Sequence, residues 1–258
     1  MEAFISKIIK AYGQKELRIH ASSAAFYIVV SALPLITILI FILSFFSPDL
    51  ISALENLLQS ILPSEFYREL YAIISGIREN HLPVLVPFTV LAALWGSTKG
   101  VGGLCYGVEA IYGVQRHRHI ILRWLKTAWR TLLFYLIIIA SLLVFALGRL
   151  FPTQSLFIEI IISLRIILFA GLLSVVFTLF YARLSNTSFK NHLLGGILSS
   201  IGWMLFTYFY SMYVSYAISS SSIYAELGTV IFFMLWVYFC VNIILIGAEI
   251  NKALTPTA

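Results

Sequence analysis

Charged side chains are scarce in this chain. Only 11% of its 258 residues are Asp, Glu, Lys or Arg, whereas 60% are hydrophobic. Ordinary globular chains carry about 45–50% apolar and about 25% charged residues. A soluble domain of this length could not bury so much apolar surface, so lipid has to be the solvent for much of it. The composition therefore predicts an integral membrane protein.

Cysteine and aspartate are nearly absent, which limits the chemistry available to the chain. The two cysteines, Cys105 and Cys240, lie far apart and form no CxxC or Cys/His spacing, so metal and redox sites have no support. Asp49 is the single aspartate, and the glutamates are scattered. Because metal-dependent hydrolysis needs clustered carboxylates or histidines, we expect no catalytic residue, no metal and no cofactor.

Long apolar runs are what the chain has in place of charge. A helix needs about 20 mostly apolar residues to cross about 30 Å of hydrocarbon, and such a segment must satisfy its own backbone hydrogen bonds. Six runs meet or approach this length, at 21–48, 82–98, 131–148, 166–182, 193–215 and 227–248. The sequence therefore predicts an all-α bundle of six transmembrane helices that forms a single domain over 1–258.

The placement of charge predicts the orientation of this bundle. The N-terminal segment 1–20 has four Lys and Arg, and the link 114–130 has five with no acid. The loop 49–81, which six spans would put on the other side, has five acids and two Arg. Cytoplasmic loops carry an excess of Lys and Arg. We therefore expect both termini and the 114–130 loop in the cytoplasm.

The two longest links carry further signals. Apolar residues recur at helical spacing on both sides of Pro63 in the loop 49–81, so we expect an amphipathic helical hairpin at the outer membrane surface. It would cap the bundle or cover a cavity. The basic link should attract anionic lipid head groups, which explains its charge without nucleic acid. Its basic residues are Arg116, Arg118, Arg123, Lys126 and Arg130.

The stretch 95–113 is the least ordinary part of the chain because it contains six glycines. Pairs of glycines four residues apart form a helix face that a neighbouring helix can approach closely. Glycine also permits a broken helix beside a polar cavity, as transporters often have. The glycines of this face are Gly96, Gly100, Gly103 and Gly107.

Ionisable residues in apolar runs are candidates for function, because lipid is a costly environment for them. Lys99 either contacts an anionic substrate or extends from a helix end towards water. Glu249 precedes Lys252 by three residues, a spacing that favours a helical ion pair, but it could also be a buried carboxylate at an inner gate. Pro34 should kink the first span, with Tyr27 two turns earlier. The other candidates for substrate binding or gating are Trp95, Ser97, Glu109 and Asn186.

Several blocks of this sequence resemble the YihY/BrkB family of bacterial inner-membrane proteins. These blocks lie at 24–27 with 31–34, 95–113, 181–186 with 195–196, and 224–228, 235–238 and 245–249. The resemblance implies six spans in the bacterial inner membrane. Ser185 departs from the family pattern, in which proline is common. Members were long labelled ribonuclease BN, but the scattered acids of this chain do not suit a nuclease.

The sequence favours a protein that transports or translocates an anionic lipid-like or amphipathic substrate. In this interpretation Lys99 attracts the anionic head group, Tyr27 and Pro34 shape a cavity, and Glu249 balances charge at an inner gate. The glycine face permits close approach or hinge motion. The alternatives are a non-catalytic envelope scaffold or assembly factor, and a transporter of small solutes or ions. We expect no enzymatic activity.

Overall fold

The computed structural model describes residues 17–44, 86–114, 156–219 and 225–254, with a few isolated positions at 13 and between 52 and 75. Five long helices occupy these ranges, and no strand occurs in them. The prediction of an all-α fold is therefore confirmed for this part of the chain. The helices are α1 (Leu17–Ser44), α2 (Val86–Tyr112), α3 (Leu156–Ser185), α4 (Leu193–Ser219) and α5 (Ala225–Leu254), and a short 3₁₀ turn (Phe189–His192) precedes α4.

Five of the six predicted apolar runs fall on these helices. The sixth, 131–148, lies outside the described residues, as does the basic link 115–130. The same holds for almost all of the N-terminal segment 1–16 and of the predicted outer hairpin 49–81. Two stretches are long and apolar enough to cross a membrane, Phe189–Val214 and Val230–Leu254. By length and composition these stretches give the described chain membrane character.

α2 differs most from the sequence prediction. Its apolar run ends at residue 98, yet the helix continues to Tyr112, and the glycines do not interrupt it. The helix ends at Gly113, which has a φ of 72°. The Val114 N–H donates to the Glu109 carbonyl at 3.0 Å, which is the bond that closes a Schellman motif. Tertiary packing therefore extends this helix well beyond its hydrophobic run.

The second half of α2 is the centre of the bundle. Almost every side chain from residue 100 to 111 is buried. The core around it consists of large apolar side chains from the other helices, such as Leu17, Phe177 and Leu245. Helices α1 and α5 pack directly along α2, and α4 packs between α3 and α5. The glycine-rich segment thus lies in the interior of the bundle.

Five chain segments meet at one end of the bundle. α1 runs antiparallel to α2, so the start of α1 lies beside the end of α2. The ends of α3 and α5 and the start of α4 also come together there, through contacts described below. We call this region the inner end. It comprises residues 17–20, 109–114, 181–195 and 244–254.

Candidate functional site

Two glycines of α2 hold α1 at very short range. A Cβ atom on Gly96 would lie 2.9 Å from the Ser31 Cβ, and one on Gly100 would lie 2.8 Å from Ile28 Cγ1 and 2.9 Å from its backbone nitrogen. Real Cβ atoms essentially never lie so close to other heavy atoms. Glycine at these positions therefore lets the two backbones approach, as small residues do in membrane helix pairs.

The same face continues toward the inner end. A Cβ on Gly103 would lie 3.2 Å from Ala24, and one on Gly107 would lie 2.8 Å from Leu245 Cδ2. Gly103 thus contacts α1, whereas Gly107 also reaches α5. The four glycines predicted to form one face lie along these two helices in an unbroken line.

Lys99 lies on a different side of α2, where the helix is exposed. Phe88, Ala92, Trp95 and Lys99 are all exposed and lie within about 60° of one another around the helix axis. We call these four residues the Lys99 stripe. The Trp95 ring meets Tyr27 of α1 edge to face, with ring centroids 5.3 Å apart. Lys99 is the only charged residue of an otherwise apolar surface line.

The depth of Lys99 follows from the register of α1 and α2. Its neighbour Gly100 lies against Ile28, and Ile28 is eight residues after His20. At 1.5 Å per residue, Lys99 lies roughly 12 Å from the inner end. A lysine side chain is shorter than this distance.

Two other candidates on α1 and α2 have simple structural roles. Ser97 is buried, and its hydroxyl donates to the Ala93 carbonyl at 2.5 Å, so its hydrogen bond is satisfied within the helix. Pro34 lies inside α1, which runs unbroken from Leu17 to Ser44, and is half-buried. Neither residue lies on the Lys99 stripe.

The two acidic candidates are buried at the inner end. Glu109 and Glu249 are 8% and 3% exposed, and Glu249 lies close enough to the Tyr112 hydroxyl to act on it electrostatically. Lys252 donates to the Ile111 carbonyl at the end of α2. Because Tyr112 follows Lys99 by about 20 Å along α2, the structure does not bring Lys99 and Glu249 together.

His192 is the centre of a polar network at the inner end. The residue is 1% exposed. Its Nδ1 lies 3.1 Å from the Tyr112 hydroxyl, and its Nε2 lies 2.8 Å from Ser185 Oγ and 2.6 Å from Thr187 Oγ1. Burial lowers the pKa of the imidazole below its ordinary value of 6.5, because a buried ring favours its neutral form.

Asn251 ties this network to α5. Its side-chain oxygen accepts the Gly195 N–H at 2.7 Å, and its side-chain nitrogen donates to the His192 carbonyl at 3.3 Å. A hydrogen bond also links Asn251 to the Tyr112 hydroxyl. Together these side chains join the ends of α2 and α5 to the link between α3 and α4. We call them the inner cluster, which consists of Tyr112, Ser185, Thr187, His192 and Asn251.

Tyr181 makes a second polar connection just beneath the inner cluster. It is fully buried. Its hydroxyl donates to the Ile244 carbonyl of α5 at 2.7 Å and lies 2.7 Å from Ser199 Oγ of α4. One phenol from α3 therefore bonds to both neighbouring helices. Its ring centroid is 6.5 Å from that of His192.

Asn186, the last of the predicted site residues, has a local role. It is exposed and has a φ of 57°. Asparagine tolerates this left-handed conformation better than most residues, so Asn186 ends α3 and turns the chain toward His192. The structure places it beside the inner cluster but not within it.

Sequence reasoning missed most of the inner cluster. Tyr112 and Ser185 lie inside the blocks that carry the family resemblance, and Asn251 lies two residues after Glu249. His192 directly precedes an apolar run. In the sequence, these residues are recognisable only as polar residues near the ends of apolar runs. The packing of the helices shows that their side chains contact one another. Within the described ranges, no group of three His, Cys, Asp or Glu could hold a metal ion.

Comparisons with known proteins place the chain in a family. Residues 8–257 match the family described as Virulence factor BrkB. The chain is similar to the Putative ribonuclease-like protein YfkH of Bacillus subtilis (strain 168), with 23% identity over 262 residues that cover 98% of this chain and 95% of that protein. No solved structure matches. Since the family match spans nearly the whole sequence and agrees with the blocks that resemble YihY/BrkB proteins, this chain belongs to the BrkB family.

Proposed function

We propose that this BrkB family member crosses the bacterial inner membrane six times, with both termini in the cytoplasm. The arrangement of the helix ends supports this topology. α2 and α3 both end at the inner end, so the chain between them connects the inner end to the outer one. A single crossing by the predicted third span, 131–148, would complete six spans.

Charge at the inner end supports the orientation. Arg18, Arg183 and Lys190 are exposed there, and Lys252 lies at the end of α5. These residues come from three segments far apart in sequence, whereas the acids that the structure describes at this end are buried. Because basic residues concentrate on the cytoplasmic side, the inner end is proposed to face the cytoplasm.

Cysteine labelling in intact cells tests this topology. In a variant without Cys105 and Cys240, we place one cysteine at Gln59, in the predicted outer loop, or at Asn186, at the inner end. A membrane-impermeant maleimide should label the Gln59→Cys protein in intact cells. It should label the Asn186→Cys protein only after the membrane is opened. The reverse pattern contradicts the orientation, and external labelling of both contradicts the number of crossings.

We further propose that the protein moves an anionic amphipathic substrate, with a lipid as the leading case. The observation that carries this proposal is the exposed Lys99 in the Lys99 stripe. A charged side chain in the hydrocarbon costs at least about 2.5–3.5 kcal/mol. An anionic head group would offset this cost, and the apolar residues of the stripe would accompany its acyl chains.

The rest of the stripe suits such a substrate. Trp95 is 53% exposed although its ring contacts Tyr27, so one face of this aromatic pair is available to a ligand. Tryptophan and tyrosine have an apolar body and a polar tip, and they suit the boundary between acyl chains and head groups. The pair lies about one turn from Lys99 on the same side of α2.

A lipid-translocation assay in liposomes tests this role. Purified protein is reconstituted with fluorescent anionic or zwitterionic lipid, and the label on the outer leaflet is quenched. We expect Lys99→Ala to lower the initial rate for the anionic lipid by about tenfold or more, which corresponds to about 1.4 kcal/mol. Lys99→Arg should retain most of the rate because it keeps the charge. Arg183→Ala, which removes an exposed cation at the inner end, is the matched control.

The possible outcomes distinguish an error in the site assignment from an error in the proposed function. If folded Lys99→Ala and Glu249→Gln proteins translocate lipid at the wild-type rate, the site assignment fails. If the wild-type protein moves no lipid but passes a small anion or cation, the transporter class holds and the substrate class is wrong. A wild-type protein that moves none of these removes the transport proposal.

An envelope scaffold is the second candidate, and the packing favours it specifically. The α1–α2 contact leaves no room for a Cβ at Gly96 or Gly100. Among the residues that the structure describes, every buried side-chain nitrogen or oxygen has a hydrogen-bond partner. A close-packed interior suits a structural protein. Restoration of envelope integrity in deletion cells by Lys99→Ala, to the wild-type level, would favour the scaffold over transport.

The name of the Bacillus subtilis relative raises the question of ribonuclease activity. We propose that this chain has none, because its acids are scattered and Asp49 is its single aspartate. Metal-dependent hydrolysis would need several such ligands around one ion. Purified protein should leave RNA intact with Mg²⁺, Mn²⁺, Ca²⁺ or Zn²⁺. Cleavage that remains with the protein through successive purification steps would overturn this proposal.

A further inference from the structure

The inner cluster depends on one group that can change its charge near neutral pH. Histidine is the side chain whose ordinary pKa lies closest to physiological pH. His192 contacts α2 through Tyr112 and the link between α3 and α4 through Ser185 and Thr187. Its backbone carbonyl accepts a bond from Asn251 of α5. The ring thus connects α2 to the α3–α4 link, and the backbone of the same residue connects that link to α5.

The neutral ring suits this environment. A neutral imidazole has one N–H donor and one acceptor nitrogen. The hydroxyls around it can each donate or accept, so both ring nitrogens are satisfied in either tautomer. A protonated ring has two donors and no acceptor. It would have to reverse any hydroxyl bond that the acceptor nitrogen receives, and it would place a positive charge in a buried site.

Charged and titratable groups lie on the other elements that meet at the inner end. Glu109 of α2 and Glu249 of α5 are buried acids that would favour a proton on the ring. Lys252 of α5 would oppose it, and Lys190 in the 3₁₀ turn is exposed and screened by water. Tyr112 of α2 and Tyr181 of α3 lie against the ring, and His20 of α1 lies against Gly107.

We propose that His192 is a proton-binding site that controls the inner end of the bundle. The neutral ring connects α2 to the α3–α4 link, which Asn251 joins to α5, and uptake of a proton from the cytoplasmic side weakens these contacts. This inference deepens the proposed function, since opening at the inner end would regulate access from the cytoplasm. It rests on the proposed orientation only for the side from which the proton comes.

Hydrogen exchange of the protein in lipid nanodiscs tests the inference directly. Exchange is measured at pH 7.5 and pH 5.5 on peptides from 107–114, 185–195 and 245–254, and corrected for the intrinsic effect of pH on amide exchange. We expect wild-type protection of these segments to fall at pH 5.5. The fall cannot exceed about tenfold per pH unit, the limit for uptake of one proton. Peptides from 96–103, in the glycine contact of α1 and α2, serve as the internal control.

A variant at position 192 tests whether His192 is the group that binds the proton. His192→Gln keeps a neutral polar side chain that cannot be protonated in this range. We expect its protection to be the same at both pH values. A wild-type protein without a pH response at the inner end overturns the inference. So does a His192→Gln protein that keeps the wild-type response, because another group would then bind the proton.

A second variant keeps the test valid if His192→Gln does not fold. Tyr112→Phe removes a hydroxyl beside Nδ1 and leaves the imidazole in place. Because the hydroxyl bonds directly to the ring, its loss changes the relative stability of the neutral and protonated forms and should move the midpoint of the protection change away from the wild-type pH. An unchanged midpoint contradicts the inference. Exchange is measured without substrate, so failure of the lipid-translocation assay and failure of this test are independent results.

Discussion

Replacement of Gly195 by alanine is the strongest test of the packing at the inner end. A Cβ on Gly195 would overlap the side-chain amide of Asn251 and the backbone carbonyl of Gly247. The carbonyl belongs to α5 and cannot rotate away, so α4 and α5 would have to separate. The separation would also weaken the 2.7 Å bond from the Gly195 N–H to Asn251.

These two effects set the expected magnitude. Inserting a methyl group into a packed contact costs about 1–3 kcal/mol, and loss of the hydrogen bond adds about 0.5–1.5 kcal/mol. The Gly195→Ala protein should therefore be less stable by roughly 2–4 kcal/mol. At about 2–4 °C per kcal/mol for a chain of this size, Tm should fall by at least about 4 °C.

Gly171→Ala is the matched control. Gly171 is also in the interior of a helix, α3, but it is exposed, and a Cβ added there would have no neighbouring atom within 4 Å. Alanine is a better helix former than glycine by up to about 1 kcal/mol, so Tm should stay constant or rise slightly. Tryptophan fluorescence in detergent, at one fixed heating rate, measures both variants. If the Gly195→Ala protein has the Tm of the wild type, or if Gly171→Ala lowers Tm as much as Gly195→Ala does, the packing argument is wrong.

Three further predictions concern the same region. Burial lowers the pKa of His192 in the folded state, so its side chain binds a proton more readily in the unfolded chain below pH 6.5. Tm should therefore fall as the pH drops below 6.5, and His192→Gln should reduce this dependence of Tm on pH. Tyr181→Phe should lower stability by about 1–3 kcal/mol, because the Ser199 hydroxyl and the Ile244 carbonyl lose a buried partner, whereas Tyr208→Phe at an exposed position should have little effect on Tm. Asn186→Val should lower stability by roughly 1–2 kcal/mol and Asn186→Gly should not, since valine disfavours a positive φ and glycine does not. Equal Tm values for the two variants would contradict the importance of the left-handed conformation at the end of α3.

Much of the overall architecture could be predicted from the sequence. Residues that face lipid are apolar, and a segment in lipid must form its own backbone hydrogen bonds. Each apolar run therefore predicts a helix without any knowledge of the helices that pack against it. Five predicted runs coincide with described helices for this reason. The glycine face of α2 could also be predicted from the sequence, because glycines spaced four residues apart are typical of a helix face that another helix approaches closely.

The limits of α2 could not be predicted in this way. Its apolar run ends before Lys99, and the following residues are rich in glycine, which weakens isolated helices. Burial among α1 and α5 stabilises the helix as far as Tyr112. A sequence window contains no information about which helices will surround it.

The candidate site was predicted only in part. Lys99 was identified because charge is conspicuous in an apolar run. The structure adds that it is exposed, about 15 Å along α2 from Glu109 and about 20 Å from Tyr112. His192, Tyr112 and Asn251 were not identified, because each looks like an ordinary polar residue at the end of a span. Hydrogen bonds between distant segments have no local signature.

The sequence by itself determined the membrane character of the chain, the approximate positions of its five described helices and the segments that carry positive charge, because hydropathy and charge act residue by residue. Only the tertiary structure decided that the ends of α2 and α5 meet the α3–α4 link around His192. That meeting depends on contacts between residues far apart in sequence, 80 positions for Tyr112 and His192 and 141 for Ile111 and Lys252, and these contacts exist only once the helices have packed.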